Sequence, residues 1–201
     1  MKPLRILLAD LKYFNRYTKR NNFIPLNIGY IAAYAQAQFG KDVDISLFSD
    51  PVELLDETKT NRPDIVGLSF YYWNTQLNQA VVESLRNMYG EDLTIVFGGP
   101  SIDSEPDEQK LMCQRYPGVD AYTVNEGELG FARIIKRKLS SPETMWKDPI
   151  DGAVFFDGET VVAGLPVGAD TGPCNAALAL PERSDGPQRD IVLPIRAREP
   201  G

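Results

Sequence analysis

The stretch "RPDIVGLSFYYWNTQLNQAVVESLRNMYGEDLTIVFGGPSID", residues 62–103, decides the fold. Its opening "DIVGLSF" is almost continuously apolar, the pattern of a strand buried on both faces. "NTQLNQAVVESLRNMYG" follows as a helix, with Asn74 or Thr75 as its N-terminal cap and Gly90 at its end. "LTIVFGG" is a second buried strand. A strand, a helix of four turns and a strand make a parallel crossover. The second strand runs into Gly98, Gly99 and Pro100. Two residues without a side chain and one without an N–H suit either a tight turn or a backbone approached closely by a ligand.

The same alternation continues on both sides. "LRILLAD" is a first strand. "PLNIGYIAAYAQAQFG" is a helix with Pro25 in its first turn and Gly40 at its C-terminus. "VDISLFS" is a second strand, and "DPVELLDETKTNR" a short helix capped by Asp50. Beyond the opening stretch come a helix capped by Ser104, the short strand "DAYTV", and "EGELGFARIIKRKL", a helix with acids at its start and bases at its end. This predicts an α/β fold: a Rossmann-like or flavodoxin-like doubly wound parallel five-stranded sheet; five strands fit the order 2-1-3-4-5, which sequence does not itself fix. "DGAVFFDGETVVAG" reads as a small β-hairpin turning at Asp157-Gly158. From about Ala169 the chain holds five prolines and no aromatic residue, and a disordered or frame-shifted tail is expected there. The expected organisation is a sheet domain over 1–140, a linker and hairpin over 141–168, and the tail over 169–201.

Composition narrows the function. The 201 residues carry a formal charge of −7, a poor match to nucleic acid or anionic membranes. No apolar run is long enough to span a membrane. Two cysteines, Cys113 and Cys174, make neither a disulfide framework nor a metal pair, so a reducing, cytoplasmic setting is expected. The chain has no histidine at all, which removes imidazole-based catalysis and the commonest metal ligand.

Ligands of open parallel sheets bind outside the carboxyl ends of the strands. Gathered there are Asp10; Pro25 and Leu26; Ser69 to Asn74; Gly98, Gly99, Pro100 and Ser101; and Asn125, Glu126 and Gly127. Glycine and aromatic residues together suit a ligand both extended and flat. Neither GxGxxG nor a P-loop is present. Plainer readings stand beside this one. The glycines can be a turn, the aromatics a cap on the core, Ser69 a backbone partner, and Glu126 and Glu128 a stabilised first helical turn. An enzyme using Asp10, Glu126 and Glu128 on a nucleotide-like substrate, or a receiver-like module centred on Asp10, would use the same fold.

"PLNIGYIAAYAQ", "RPDIVGLSFYYWNTQLNQAVVESLR", "TIVFGGPSID" and "GVDAYTVNEGELGFARII", in this order and spacing, resemble the N-terminal cobalamin-binding domain of cobalamin-dependent radical S-adenosylmethionine proteins. The resemblance covers residues 1 to 140 or so. It implies a corrin held at the strand carboxyl ends and a nucleotide tail inserted into the fold. By position, Pro25, Leu26 and Gly29 would line the entry to the first helix. Ser69, Tyr71, Tyr72, Trp73 and Asn74 would border the tail slot and corrin. Gly98, Gly99 and Pro100 would let the cofactor pass the fourth strand, beside Ser101, where relatives often carry a histidine. Asn125, Glu126 and Gly127 would close the far side. The cobalamin would be base-off, with no histidine ligand from this chain. The radical chemistry of the family needs CxxxCxxC for an iron–sulfur cluster. This chain lacks that motif, so no cluster is expected on it, and a separate radical S-adenosylmethionine domain would be the partner of a fragment or stand-alone carrier.

Overall fold

A computed structural model describes residues 2–13, 25–102 and 105–167. The expectations for the loop over 14–24, for Ser104 as a cap and for the tail over 169–201 lie outside the described residues.

The elements in chain order are β1 (Leu4–Ala9), α1 (Leu26–Phe39), β2 (Val43–Phe48), α2 (Pro51–Thr60), β3 (Ile65–Ser69), α3 (Thr75–Tyr89), β4 (Thr94–Gly98), α4 (Pro106–Arg115), β5 (Ala121–Thr123), α5 (Gly127–Ser140), β6 (Ala153–Phe156) and β7 (Val161–Ala163). The sheet order is β2-β1-β3-β4-β5-β6-β7. The first five strands are parallel, in the flavodoxin-like order 2-1-3-4-5. The hairpin does not merely follow this sheet. It extends it, with β6 antiparallel to β5 and β7 antiparallel to β6. The reason is the short β5, whose three residues are all buried and whose outer edge needs a partner. Ala153, Val154 and Phe155 of β6 supply it and become buried themselves.

Local chemistry sets the helix ends. The Asp50 carboxylate accepts from the N–H groups of Val52 and Glu53 at the start of α2. Gly40 and Gly90 close α1 and α3 at φ +51° and +58°, each donating its N–H back to the last turn. At the amino edge of the sheet, two aspartates do the same job. Asp64 accepts from the Arg5 N–H, and Asp120 from the Ile95 N–H, each satisfying a strand donor that has no ladder partner. Arg86 fixes Asp120 at 2.7 Å and also donates to the carbonyls of Gly118, Gly90 and Leu93.

Helices cover both faces. Beneath α2, α3 and α4 lie Leu7, Leu54, Val66, Leu68, Phe70, Val81, Leu85, Ile95, Phe97, Met112, Tyr116 and Tyr122. Beneath α1 and α5 lie Ile6, Leu8, Ile28, Ala32, Ile65, Val96, Ala121, Phe131, Ile134 and Phe155. Alternation along each strand sends odd and even residues to opposite layers, which is why all three central strands read as unbroken apolar runs.

Candidate functional site

The two faces differ at the carboxyl edge. On the α2/α3/α4 face, large rings continue to the rim. Phe70 stacks on Phe97 with centroids 4.9 Å apart, Tyr116 meets Phe70 edge-on at 5.2 Å, and Tyr122 meets Phe97 edge-on at 6.1 Å. On the α1/α5 face the side chains shrink instead. Ile65 is followed on that face by Gly67 and Ser69, Val96 by Gly98, and Ala121 by Thr123. The register aligns Ser69 with Gly98 and Gly98 with Thr123, so one row of hydroxyl, hydrogen and hydroxyl crosses three strands.

Above this row stand the first turns of two helices. In α1, no atom lies within 4 Å of where a Cβ on Gly29 would stand. In α5, a Cβ on Gly127 would meet only Thr123 Oγ1 at 3.5 Å and Ile31 Cδ1 at 3.6 Å. The asparagine beside the entrance, Asn27, donates from Nδ2 to the Ser69 hydroxyl at 2.8 Å and to the Tyr71 hydroxyl at 2.9 Å.

The two glycines after β4 have internal causes. A Cβ on Gly98 would stand 2.6 Å from Thr123 Oγ1. Gly99 has φ +135°, and its Cβ would stand 2.8 Å from the Phe70 carbonyl oxygen. Both are therefore demanded by packing, whatever else passes over them. Asn125 has φ +57° and turns the chain from β5 into α5, a conformation that asparagine tolerates better than most residues.

The loop after β3 is built from within. Asn74 is fully buried. Its Oδ1 accepts from the Tyr71 N–H at 3.0 Å, and its Nδ2 donates to the Ser69 carbonyl at 3.0 Å and the Leu11 carbonyl at 3.4 Å. Asn78, also fully buried, donates to the same Ser69 carbonyl and to Asn74 Oδ1. These amides hold Tyr71, Tyr72 and Trp73 outward. Tyr71 stacks on Trp73 at 4.3 Å, and Tyr72 remains 81% exposed.

Asp10 follows β1 at the same edge. Burial pushes its carboxyl above the ordinary range, against the nearby Lys12 ammonium at 3.7 Å. Burial, then the Asp10 charge, pushes the Tyr71 phenol up, while the Asn27 hydrogen bond opposes them.

The residues singled out from sequence all lie along this edge, but in four different settings. Pro25 is the N-cap of α1, with Leu26, largely exposed, and Gly29 in its first turn, while Ser69 and Gly98 belong to the row of small residues and Gly127 stands against Thr123. Tyr71, Tyr72 and Trp73 form the aromatic rim, while Gly99, Pro100, Asn125 and Glu126 are exposed beside it. Asn74 faces inward and is spent on the loop. Ser101 lies on the other face, where it lines an open cleft of about 450 Å³ with Phe70, Glu108, Leu111, Met112, Arg115 and Tyr116. Sequence reasoning missed Thr123 and Asn27. Only the strand register reveals Thr123, whereas a polar residue in the second position of an otherwise apolar helix start was a signal for Asn27. Among the described residues, no group of three or more Cys, Asp or Glu could hold a metal ion, and no helix is long and apolar enough to cross a membrane.

Parts of known proteins are similar to this sequence. The chain is 29% identical over 126 residues to the cobalamin-dependent radical SAM methyltransferase TokK of Streptomyces tokunonensis, covering 59% of this chain and 17% of that protein. It is 26% identical over 152 residues to the 2-(S-pantetheinyl)-carbapenam-3-carboxylate methyltransferase of Streptantibioticus cattleyicolor, covering 72% of this chain and 21% of that one. The chain therefore spans about a fifth of the length of these relatives. A solved structure of a cobalamin-binding protein from Desulfitobacterium hafniense DCB-2 is similar with a TM-score of 0.49 and 22% identity, over 68% of this chain and 59% of that chain. The model of the B12 binding domain matches residues 18–135, more than half of the sequence, and the chain belongs to that family.

Proposed function

We propose that this chain binds cobalamin at the carboxyl edge of the sheet, with the nucleotide tail between the Ser69–Gly98–Thr123 row and the first turns of α1 and α5. The observation that carries this reading is the one-sided taper of the sheet. Three neighbouring strands end in small residues on the α1/α5 face alone, and the helix residues that reach them are Asn27, bonded to Ser69, and Gly127, whose Cβ would meet Thr123. The site fits the group in its donor set as well. Ser69 and Thr123 offer hydroxyls to the tail, the backbone at Gly98 and Gly99 offers a thin wall, and Tyr71 to Trp73 with Asn125, Glu126 and Gly127 offer flat and amide surfaces to the corrin and its side chains.

No imidazole of this chain reaches the cobalt, because the chain contains none. Cobalamin would be held base-off, with no histidine ligand from this chain and with its tail received by the Ser69–Gly98–Thr123 row. Cobalamin supplies a cobalt centre that can carry a methyl group. The chain's own residues orient the corrin and exclude water from the tail. The relatives are named as methyltransferases, and this module serves the same class of reaction, methyl transfer or a related alkyl rearrangement. The iron–sulfur chemistry falls to a radical S-adenosylmethionine domain, since these 201 residues hold no CxxxCxxC.

The test is direct. Purified protein is mixed with cob(II)alamin without oxygen, desalted, and examined by absorbance and electron paramagnetic resonance. The expected result is close to one retained corrin per chain and a cobalt signal free of nitrogen splitting. No retained corrin sinks the proposal, and a nitrogen-split signal sinks the base-off assignment.

A further inference from the structure

We propose that Asn27 is a latch on the tail slot: its amide ties α1 to the end of β3, and a nucleotide tail enters only when that tie is released. The inference rests on the cobalamin reading and adds a gate to it. One amide nitrogen spends both hydrogens, one on the Ser69 hydroxyl and one on the Tyr71 hydroxyl, at 2.8 and 2.9 Å. An aromatic ring sandwiched between two walls needs them about 7 Å apart, twice an ordinary carbon contact of roughly 3.5 Å. Walls bridged by a single hydrogen bond leave no such space, so the bridge and the ring compete for one position.

The bridge is also coupled to the rim. Tyr71 stacks face to face on Trp73 at 4.3 Å, and its N–H is held by the buried Asn74. Releasing Asn27 frees the Tyr71 hydroxyl while its backbone stays fixed, so the ring can swing without unravelling the loop. The partners of the bridge come from three elements: the first turn of α1, the last residue of β3 and the loop before α3. A tail entering there separates those elements locally and leaves the helix ends farther from the edge in place.

Stopped-flow association with the intact chain tests this. Two probes are used: cob(II)alamin, and cob(II)inamide, which has the corrin but no nucleotide tail. Asn27→Ala removes both bonds and is expected to speed cob(II)alamin association roughly tenfold, the order set by one to two neutral hydrogen bonds. Tyr71→Phe removes one bond, keeps the stack, and is expected to give roughly a threefold gain. Asn27→Ala should not change cob(II)inamide association beyond about twofold, because the tail alone meets the latch. If wild type binds cob(II)alamin and Asn27→Ala binds it at the same rate or more slowly, the latch falls while cobalamin binding stands. Equal acceleration of both probes also overturns it, since the bridge would then guard the corrin seat. If wild type retains neither probe, the cobalamin reading falls and takes the latch with it.

Discussion

Asn74→Leu isolates the amide clamp under the aromatic rim. Leucine branches at the same carbon with the same number of heavy atoms, so the change removes the hydrogen bonds, with some added strain from its bulkier methyl groups. Asn74 is fully buried, and so is its neighbour Asn78. Three backbone groups lose a partner. The Ser69 carbonyl keeps its bond from Asn78 at 2.9 Å, so it is not orphaned. The Tyr71 N–H loses a 3.0 Å bond, and the Leu11 carbonyl a longer 3.4 Å one. An orphaned buried group costs about 1–3 kcal/mol, and leucine leaves no room for water to substitute. The expected destabilisation is about 2–4 kcal/mol, with Leu11 at the low end of its range. In urea unfolding, with a slope of about 2 kcal/mol per M, the midpoint falls by roughly 1–2 M. A second readout separates the loop from the whole. The chain has two tryptophans, Trp73 on the rim and Trp146 against Phe155. In a Trp146→Phe background, Asn74→Leu should change the emission of Trp73 in native buffer, before any unfolding. A midpoint shift below about 0.3 M with unchanged emission would refute the clamp, and Asn74 would be no more than a helix start.

The remaining predictions concern the row, the groove and the amino edge. Gly98→Ala should cost about 1–3 kcal/mol, because its Cβ would stand 2.6 Å from Thr123 Oγ1. Adding Thr123→Ala removes that oxygen and should recover more than half of the loss in thermal melts, whereas additive losses would contradict the close contact. Gly29→Ala should raise stability by about 0.5–1 kcal/mol, because a Cβ there meets nothing and alanine favours the helix. A lower melting temperature would show that the position is not open. Burial pushes the Asp120 carboxyl above its ordinary 3.8, outweighing Arg86 and the Ile95 N–H. The folded state therefore holds that proton longer than the unfolded chain does, and the Asp120 contribution falls as pH rises from 3.8 through the folded pKa. The stability of wild type minus that of Asp120→Asn should decline over this window in urea titrations, and a rise would reverse the sign.

The layout of the parallel sheet was legible because its signals are local. Asp50-Pro51, Gly40 and Gly90 mark helix ends through side-chain and backbone chemistry that needs no tertiary partner. The hairpin turn at Asp157-Gly158 was legible for the same reason, and Gly158 has φ +103°. That the hairpin would pair with β5 was not, since pairing depends on which edge is left open. The site divides along the same line. Strand ends could be listed from sequence, but the row could not. Thr123 stands opposite Gly98 only once β4 and β5 are in register, and β5 is three residues long. The inward turn of Asn74 and the placement of Ser101 on the α4 face follow from loop geometry, which composition does not encode.

The glycine pair after β4 shows where the functional inference should rest. Gly98 answers to Thr123, and Gly99 to the Phe70 backbone and a left-handed φ. Either glycine would be needed in a protein that binds nothing there, so the pair alone cannot indicate a ligand. The contrast between the two faces can. A sheet needing only to close its core could end in rings on both sides, as Phe70, Phe97 and Tyr122 do beneath α3 and α4. On the α1/α5 face the same three strands give up that burial at Ser69, Gly98 and Thr123. A fully buried aromatic or aliphatic side chain contributes about 1.5–3 kcal/mol, so Ser69 and Thr123 forgo a few kcal/mol, and Thr123 in turn holds Gly98 to glycine. Packing accounts for Gly98, but folding alone gives no reason for both Ser69 and Thr123 to be small and polar on one face, in one row, beneath the first turns of α1 and α5. Ser69 and Thr123 are already buried under the helices, so the proposed ligand accounts for their size by taking, between sheet and helices, the place that larger side chains would fill.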